Sequence, residues 1–479
     1  MSYPPIKVSM PFETKKIVSI VLIGNFLDFF DLMLAVHLTL VLSKIFLPVE
    51  SALAPLLMTF TFCSSFCIRP LAALFWGYIG DNIGRVPVLI ATTFLMSISC
   101  IIIPNIPPYA EWGMLSAVLF LTLRLVQGFA SGGECIAADV FITETVPKPM
   151  VYFCSALVEA TCSLGGLVAC GIGALCLYLS PEDGWKIPFY IGSGVAVLGT
   201  IARKTLKETP EFLRELQKRK KRKKMIEHYT SLNLNNRNIF ALFAMYFFPA
   251  VAFYFSLAYI PSLLVNEYGM SPNVVMTQTT CVLFIVMCSE IFYGLLGLKI
   301  DPFKILKFKL IALLCILPIL AIGFNGIRNY WALTFIQVIV NCLGQGLTPA
   351  TPKINKSFPV SARYTYLLFI WAFSHSLMYL LTAYVCEQIT SFSLLCLVLF
   401  VAVLISLIGA NIFVSEGKSL ETTLNSDKKI KESPILQETK ACAQDSSATD
   451  IIEELYKIKL IKKWIKKIFI FLAYFKISV

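Results

Sequence analysis

The chain has 479 residues, of which 57% are hydrophobic and only 15% are charged, and its mean hydropathy is +0.75. Soluble globular domains are about 45–50% apolar and about 25% charged, so this composition excludes a soluble fold. The net charge of +12 would favour nucleic-acid binding in a soluble protein, but here the basic residues lie between and after apolar segments, where they act as topology signals. We therefore expect an integral membrane protein surrounded by the lipid bilayer, with no nucleic-acid partner.

Apolar segments long enough to cross a bilayer recur along most of the chain. A hydrocarbon core takes about 20 apolar residues as a helix. We predict an all-α membrane protein with twelve transmembrane helices in two six-helix halves. The predicted spans are about 17–46, 52–79, 86–104, 112–142, 150–179 and 187–203, then about 238–265, 273–298, 304–324, 330–352, 363–387 and 391–415.

Basic residues are concentrated in the loops that follow even-numbered spans, and the strongest run is Lys218–Lys224. By the positive-inside rule, these loops and both termini are cytoplasmic. The chain is therefore expected to divide into four regions. These are an N-terminal six-helix bundle (1–203), a basic cytoplasmic connector (204–237), a C-terminal six-helix bundle (238–415) and a cytoplasmic tail (416–479).

The loop after the second span carries the sequence GYIGDNIGR, residues 77–85. Gly80 and Gly84 permit a tight turn between two helices. Asp81 can pair with Arg85 or cap a helix N-terminus, because a carboxylate is favourable near the positive end of a helix dipole. The pattern predicts a latch that opens and closes at the cytoplasmic side.

This loop resembles the signature of the major facilitator superfamily, although Asn82 and Val86 stand where that signature usually has basic residues. Further segments follow in order, and the combination resembles the metabolite:proton symporter family. That family contains proline/betaine transporters and carriers for citrate, 2-oxoglutarate and shikimate. The segments are GNFLDFFD (24–31), IRPLAALFWG (68–77), RLVQGFASGGE (124–134), GWKIPF (184–189), LKETPEF (206–212) and FPVSARY (358–364).

The resemblance implies a fold of two six-helix halves and secondary transport by alternating access. It also implies that the glycine-rich loop and the FPVSARY segment control the cytoplasmic gate. The expected gating residues are Gly80, Asp81, Gly84, Arg85 and Arg363.

Ionisable residues lie at a similar depth in five of the predicted spans. Asp28 lies twelve residues beyond Lys16, and His375 lies twelve beyond Arg363, a rise of about 18 Å in a helix. An isolated charge at the bilayer centre costs at least about 2.5–3.5 kcal/mol on insertion scales, so such residues should face the bundle interior. The pattern predicts a polar cavity at the midplane, although ion pairs that only lock helices together would also account for it. The residues are Asp28, Asp31, Arg69, Arg124, Glu159 and His375.

Arg124 is the residue expected to hold a substrate carboxylate, because its planar guanidinium matches a carboxylate bidentately. Gln127, one turn further on, shares its helix face. With Arg69 and Glu159 these residues form the predicted substrate-binding set. A structural pairing of Arg124 with Glu159 is the alternative that the sequence leaves open.

Two acids of the first span and one histidine are the predicted proton-coupling residues. Asp28 and Asp31 are three residues apart and therefore lie on one helix face. Protonation of either acid removes a buried charge, which favours reorientation of the loaded transporter. His375 is added because its charge changes near neutral pH.

Small residues predict two close helix crossings. Gly132 and Gly133 precede Glu134, where we expect close packing and an ion pair in preference to substrate contact. Gly165 and Gly166 predict a second crossing in the fifth span.

The tail combines a polar linker with a helix-compatible segment, residues 451–475. Apolar residues recur there at alternating spacings of three and four, which is typical of a coiled-coil seam and would allow self-association. Six lysines cover the outer face, which is typical of a helix lying on anionic lipid. The sequence leaves both interpretations open.

The sequence favours a proton-coupled symporter that imports a small zwitterion, such as proline or glycine betaine, across a bacterial inner membrane. A carboxylate such as 2-oxoglutarate or citrate is the alternative substrate, and a non-transporting membrane sensor is the alternative class. No Walker-type loop, HExxH or GxSxG motif is present, so we predict no enzyme activity and no catalytic residues. The cysteines show no CxxC or Cys/His metal-ligand spacing, and we predict no metal and no cofactor.

Overall fold

A computed structural model describes residues 11–48, 65–180, 183–221, 236–323, 330–388 and 392–431 of the chain. Within these residues all regular secondary structure is helical. The first part of the predicted second span and the predicted tail helix lie outside the described residues.

The N-terminal half and the connector contain eight labelled helices among the described residues. The predicted fourth span is interrupted after Glu134, so it consists of two helices. The helices are α1 (Phe12–Phe46), α2 (Arg69–Asn82), α3 (Arg85–Ile102), α4 (Met114–Glu134), α5 (Ala137–Thr145), α6 (Met150–Leu179), α7 (Lys186–Arg203) and the connector helix α8 (Pro210–Lys221).

The C-terminal half follows the same order of long helices. Its first span is one continuous rod in which a π-helical turn, Phe255–Tyr259, joins two α-helices. Prolines begin two helices, where their fixed φ fits the first turn and their missing N–H is not needed. The helices are α9 (Asn236–Tyr254), α10 (Ile260–Asn266), α11 (Pro272–Gly297), α12 (Pro302–Gly323), α13 (Tyr330–Gly344), α14 (Thr351–Lys356), α15 (Arg363–Gln388) and α16 (Phe392–Lys431).

Nine helical segments of the described chain are long and apolar enough to cross a membrane. Helices α2, α7 and α13 occupy the positions of the other three predicted spans. Helix α13 is a shorter apolar helix, and the described part of α2 is only the second half of its predicted span. The helices up to Gly417 form one compact unit.

The two halves contact each other along two helix pairs: α6 packs on α11, and α2 packs on α15. Glycines permit both approaches. A Cβ on Gly77 would lie 2.7 Å from the Cα of Thr365, and one on Gly294 would lie 2.5 Å from the Cβ of Ala156. Any side chain at these two positions would push the halves apart.

The predicted close crossings inside the N-terminal half are confirmed. A Cβ on Gly165 would overlap the backbone oxygen of Phe26, so α6 meets α1 at backbone distance. A Cβ on Gly132 would lie 2.7 Å from the Cβ of Ala72, which brings α4 against α2. These crossings carry the charged residues of α1, α2, α4 and α6 toward one central space.

Candidate functional site

A central cavity with about 830 Å³ of empty space lies between the two halves. Its walls come from α1, α2, α5, α6, α9 and α15 and from the segment between α13 and α14. Four residues whose side chains can carry a charge line it in the N-terminal half, and His375 lines it from the C-terminal half. The four are Asp28, Arg69, Asp139 and Glu159.

Arg69 and Asp28 form one charged pole of this cavity. The Arg69 guanidinium carbon lies 4.7 Å from the ring centre of Phe66 and 5.7 Å from that of Trp371. Arg69 is the positive charge that acts on Asp28. Nevertheless Asp28 Oδ1 and Arg69 Nε have no hydrogen-bond partner among the described residues. This pole therefore keeps hydrogen-bonding capacity for a ligand.

Asp31, Arg124 and Gln127 form a closed polar triad next to that pole. Arg124 Nη1 donates to Gln127 Oε1 at 2.6 Å, and Gln127 Nε2 donates to Asp31 Oδ1 at 2.6 Å. Arg124 Nη1 also lies 3.7 Å from Asp31 Oδ2. The partner of Arg124 is thus Asp31, in place of the Glu159 pairing that the sequence left open.

The triad is not part of the lining of the central cavity. It lines a smaller cavity, with about 210 Å³ of empty space, which it shares with Asp28 and Arg69. The structure therefore separates the predicted substrate-binding residues. Arg69 and Glu159 face the central space, whereas Arg124 and Gln127 are engaged with an acid beside it.

Asp139 and Glu159 form a second pole on the cavity wall. Glu159 is the charged neighbour of Asp139, and Ser155 Oγ donates to Asp139 Oδ1 at 2.8 Å. Sequence reasoning missed Asp139, although its position in the same predicted span as Arg124 was an available signal. Asp139 lies on α5, the short helix that follows the break in the fourth span.

His375 and the aromatic residues around it form the wall from α15. The ring of His375 stacks on Trp371 with centroids 4.1 Å apart, and its Nδ1 lies 2.9 Å from the backbone oxygen of Trp371. Tyr246 and Tyr379 meet the same imidazole edge-on, at 5.6 and 5.8 Å. If Nδ1 donates to that oxygen, only Nε2 of His375 remains available to exchange a proton.

A buried ion pair of the C-terminal half lies behind the cavity wall. Lys309 Nζ lies 3.7 Å from Glu290 Oε1 and 4.4 Å from the ring centre of Tyr293. It also donates to the backbone oxygen of Gln345, a residue that lines the cavity, at 3.5 Å. Sequence reasoning missed this pair, whose signal was the single charge of Glu290 in one apolar span and a lysine inside the next.

Glu134 forms the ion pair that its position predicted, and its partner is Arg203 at the end of α7. Arg203 Nη2 donates to Glu134 Oε1 at 2.5 Å, and Nη1 donates to Glu134 Oε2 at 3.0 Å. Thr92 adds a hydrogen bond of 2.6 Å to the same carboxylate. A Cβ on Gly24 would overlap this pair, so a glycine is required where α1 passes it.

The predicted gate loop joins the two halves through Asp81. Its carboxylate accepts the backbone N–H groups of Tyr364 and Thr365 at 3.2 and 2.9 Å, and the Thr365 hydroxyl at 2.7 Å. Arg85 Nη1 lies 3.5 Å from Asp81 Oδ1. Both predicted roles of Asp81 are present, and the helix that it caps, α15, belongs to the other half.

Arg85 and Arg363 meet at one shared carboxylate, that of Glu144. Arg85 Nη2 and Arg363 Nη1 each donate to Glu144 Oε1 at 3.0 Å. Arg85 also donates to the backbone oxygen of Val360 at 3.0 Å. The Glu144 side chain is fully buried and comes from the N-terminal half, so this cluster holds the halves together at the end predicted to be cytoplasmic.

The connector also takes part in this gate. Glu208 accepts the backbone N–H groups of Arg85 and Val86 at 3.0 and 2.7 Å and so caps α3. Glu211 Oε2 accepts a bond from Arg363 Nη1 at 2.7 Å. Sequence reasoning missed both glutamates as gate residues, although the LKETPEF segment that contains them was a clear signal.

Two glycines of the gate are required by contacts, and Gly84 is also required by its conformation. Gly80 lies inside α2 and not in the turn that the sequence predicted for it. Gly84 has a φ of +150°, and a Cβ there would overlap the Glu208 carboxylate. A Cβ on Gly80 would overlap the ring of Tyr364. Both glycines thus let charged and aromatic groups of other segments reach the loop.

A peripheral ion pair stands at the corresponding loop of the C-terminal half, between Asp301 and Lys353. Partial burial raises the pKa of Asp301, but the hydrogen bond and the charge of Lys353 outweigh that effect and hold this pKa below its ordinary value. The carboxylate therefore stays ionised at neutral pH.

Two helical halves that enclose a charged central cavity and are joined at one end by buried ion pairs are the architecture of a secondary membrane transporter. A model of the Major Facilitator Superfamily matches residues 21–382. The chain belongs to that superfamily. Members of the superfamily, and the relatives described below, are transporters and not enzymes.

Curated relatives carry names from the branch that the sequence resembled. The chain is 27% identical over 375 residues, 74% of each chain, to a proline/betaine transporter of Salmonella typhimurium. It is 26% identical over the same share to the proline/betaine transporter of Escherichia coli K12. It is 29% identical to a protein of Staphylococcus aureus named putative proline/betaine transporter, over 61% of this chain and 64% of that protein.

Solved structures confirm the predicted fold. The proton:xylose symporter XylE bound to 6-bromo-6-deoxy-D-glucose has a TM-score of 0.69 at 15% identity, covering 84% of this chain and 95% of that one. The inward open conformation of the E. coli xylose transporter XylE has a TM-score of 0.60 at 15% identity, covering 83% and 94%. The twelve-helix architecture in two halves is therefore established for this multi-pass membrane protein.

Proposed function

We propose that this transporter is a proton-coupled symporter of the bacterial cytoplasmic membrane that imports a small zwitterion such as proline or glycine betaine. The observation that carries the proposal is the composition of the central cavity. Among the described lining residues, three acids face one guanidinium, that of Arg69. A zwitterion needs a basic contact for its carboxylate and an acidic contact for its cation, and this cavity offers both.

The alternative substrate, a di- or tricarboxylate, fits this lining less well. Such an anion would need an excess of cationic groups, because its desolvated charges must be paired. In the described conformation Arg124 does not supply a second guanidinium to the cavity, because it is engaged with Asp31 at 3.7 Å. The relatives that are named proline/betaine transporters support the zwitterion independently.

Asp31 and Asp28 are the residues to which we assign proton coupling. Protonation of Asp31 would cancel the charge that holds Arg124 and so loosen the triad beside the cavity. Asp28 lines both the central cavity and the smaller cavity of the triad, so it connects substrate binding with the state of Asp31. His375 faces the substrate from the other half and is the third candidate.

Alternating access then requires the cytoplasmic gate to break and re-form. In the described conformation Asp81, Glu144 and Arg363 join the halves at that end, so we assign it to a state closed toward the cytoplasm. Inward release would separate Asp81 from the N-terminus of α15 and Glu144 from Arg363. Glu208 and Glu211 of the connector, 204–237, bind residues of this gate, so the connector would move with it.

The test is uptake by the purified full-length chain in proteoliposomes with an imposed proton gradient. Labelled proline should accumulate and be displaced by unlabelled proline and, at higher concentration, by glycine betaine, whereas citrate and 2-oxoglutarate should not compete. Competition by the carboxylates alone would favour the alternative substrate. Absence of uptake for every compound, with intact ligand binding, would favour the sensor. Self-association through the tail remains a prediction, because residues 432–479 lie outside the described residues.

A further inference from the structure

The second pole of the cavity has more hydrogen-bond acceptors than donors. Asp139 is 4% exposed, and the one hydrogen bond described for it comes from the Ser155 hydroxyl. Glu159 approaches Gly346 so closely that a Cβ there would lie 3.2 Å from the Glu159 Cδ. Asp139, Glu159 and Gly346 all line the cavity, and Glu159 is the neighbour of both others. Lys309 is the positive charge that acts on Glu159, but it is also paired with Glu290 at 3.7 Å. Three buried acids therefore share one lysine, and this excess of carboxylates favours a cationic ligand.

Gln345 adds an independent sign of a ligand at this wall. Its side chain is only 8% exposed, it lines the cavity, and it precedes Gly346 in the chain. Its amide oxygen Oε1 has no hydrogen-bond partner among the described residues. A buried amide oxygen without a partner costs about 1–3 kcal/mol, so the site gains when a donor reaches it.

Two aromatic residues of the cavity, Trp371 and Tyr379, are packed against neighbouring side chains. Trp371 stacks on His375 and lies 5.7 Å from the Arg69 guanidinium. Tyr379 meets Phe66 and Phe253 at centroid distances of 4.6 and 5.3 Å. An aromatic cage for a methylated cation needs ring faces directed at the ligand, whereas Trp371 and Tyr379 are each engaged with other rings.

We propose that Asp139, Glu159 and Gln345 form a subsite for a primary or secondary ammonium, bound through its N–H groups, while Arg69 holds the carboxylate of the same substrate. This inference rests on the proposed zwitterion transport and narrows it. The transporter should prefer amino and imino acids to fully methylated betaines, because a quaternary ammonium has the charge but no N–H to donate.

The first test compares three ligands that keep the ring, the carboxylate and the positive charge. Proline has two ammonium N–H groups, N-methylproline has one and N,N-dimethylproline has none. Apparent affinity in proteoliposomes should fall by about tenfold for each N–H replaced, the order of a hydrogen bond to a charged group. An equal or higher affinity for N,N-dimethylproline than for proline overturns the inference.

The second test assigns the discrimination to the subsite. Asp139→Asn and Gln345→Leu should each weaken proline by about tenfold and N,N-dimethylproline much less, so that the preference shrinks. Glu267→Gln, which changes an exposed acid at the end of α10, is the matched control and should keep the full preference. Unchanged preference in both cavity variants overturns the assignment, even if total affinity falls.

A change of the external cation tests whether the subsite binds an inorganic ion or the ammonium group of the substrate. Uptake is measured with sodium and with choline as the external cation. A sodium requirement that disappears in Asp139→Asn would identify an inorganic ion as the occupant and overturn the ammonium subsite. Lack of proton-driven uptake for the whole proline series would instead overturn the proposed function. Uptake with the highest affinity for N,N-dimethylproline and the lowest for proline would overturn the ammonium subsite alone. Ligand-induced thermal stabilisation in detergent provides the same affinity ranking for a variant that is inactive in vesicles.

Discussion

The cytoplasmic gate and the central cavity are both built from buried charges, but their hydrogen bonding differs. At the gate, Asp81 accepts three hydrogen bonds and Glu144 accepts bonds from two arginines and from Thr209. In the cavity, Asp28 Oδ1 and Gln345 Oε1 have no partner among the described residues. The saturated carboxylates of the gate hold two surfaces together, although Arg85 Nε has no partner among the described residues. The unsaturated acceptors of the cavity leave capacity for a ligand.

This difference predicts two kinds of variant. Removing one partner of a buried, saturated pair costs about 3–5 kcal/mol, because the other charge is left without compensation. Gate variants should therefore change the balance between conformations and hence the maximal rate. Cavity variants should change affinity or coupling and leave the conformational balance closer to that of the wild type.

The largest effect is expected where the cavity and the triad meet, at Asp28 and Asp31. Asp28→Asn and Asp31→Asn should each lose concentrative uptake, because an amide cannot bind and release the coupled proton. Counterflow exchange of labelled substrate without a gradient should continue. Asp183→Asn, at a side chain that is 71% exposed, is the control. Normal accumulation ratios in both variants would show that neither acid couples the proton.

Glu144→Gln should give the next largest effect, because Glu144 is the carboxylate shared by Arg85 and Arg363. Loss of about 3–5 kcal/mol from the closed gate would leave the protein open toward the cytoplasm. Uptake from the outside should fall at least tenfold, while substrate binding in inside-out vesicles is retained. Normal uptake with normal expression would show that this cluster does not control the gate.

Asp81→Ala should have a smaller effect, because it removes a helix cap worth about 0.5–2 kcal/mol in addition to the weaker 3.5 Å pair with Arg85. The maximal rate should decrease several-fold without a change in apparent affinity. Amide hydrogen exchange offers a direct readout, since the Tyr364 and Thr365 N–H groups lose their acceptor. Glu111→Ala, at an exposed acid outside the gate, is the matched control. Unchanged exchange at both amides would contradict the cap.

The fold could be predicted from sequence because each span is defined by local hydrophobicity. Prediction of the site was partial for a physical reason. The depth of Asp28, Arg69 and Glu159 follows from the rise of a helix, and these residues do face one cavity. Partners depend on helix rotation and packing, which depth does not determine. The partner that the sequence suggested for Arg124, Glu159, was therefore wrong. The capping of α3 by Glu208 was not predicted.

Glu211→Gln changes a more exposed ion pair of the same gate and should have a smaller effect than Glu144→Gln. The Glu211 side chain is 26% exposed and lies 2.7 Å from Arg363 and 3.8 Å from Lys356. Solvent screens such pairs, which contribute about 0–1 kcal/mol. The maximal rate should change less than twofold, and the change should shrink at high salt on the cytoplasmic side. An effect as large as that of Glu144→Gln would place the connector at the centre of the gate.

Deletion of the residues after Gly417 should have the smallest effect on basal transport. The gate and the cavity consist of residues between Asn25 and Tyr379, all inside the compact unit that ends at Gly417. Neither set of charges loses a described partner in the truncated protein. Uptake at fixed osmolality should match the full chain, and any change should appear as altered dependence on osmolality or on anionic lipid, because the predicted tail helix carries six lysines on its outer face. Complete loss of uptake by a normally inserted truncation would mean that the tail is needed to close or open the gate. The saturated gate and the unsaturated cavity would then not be sufficient to account for transport.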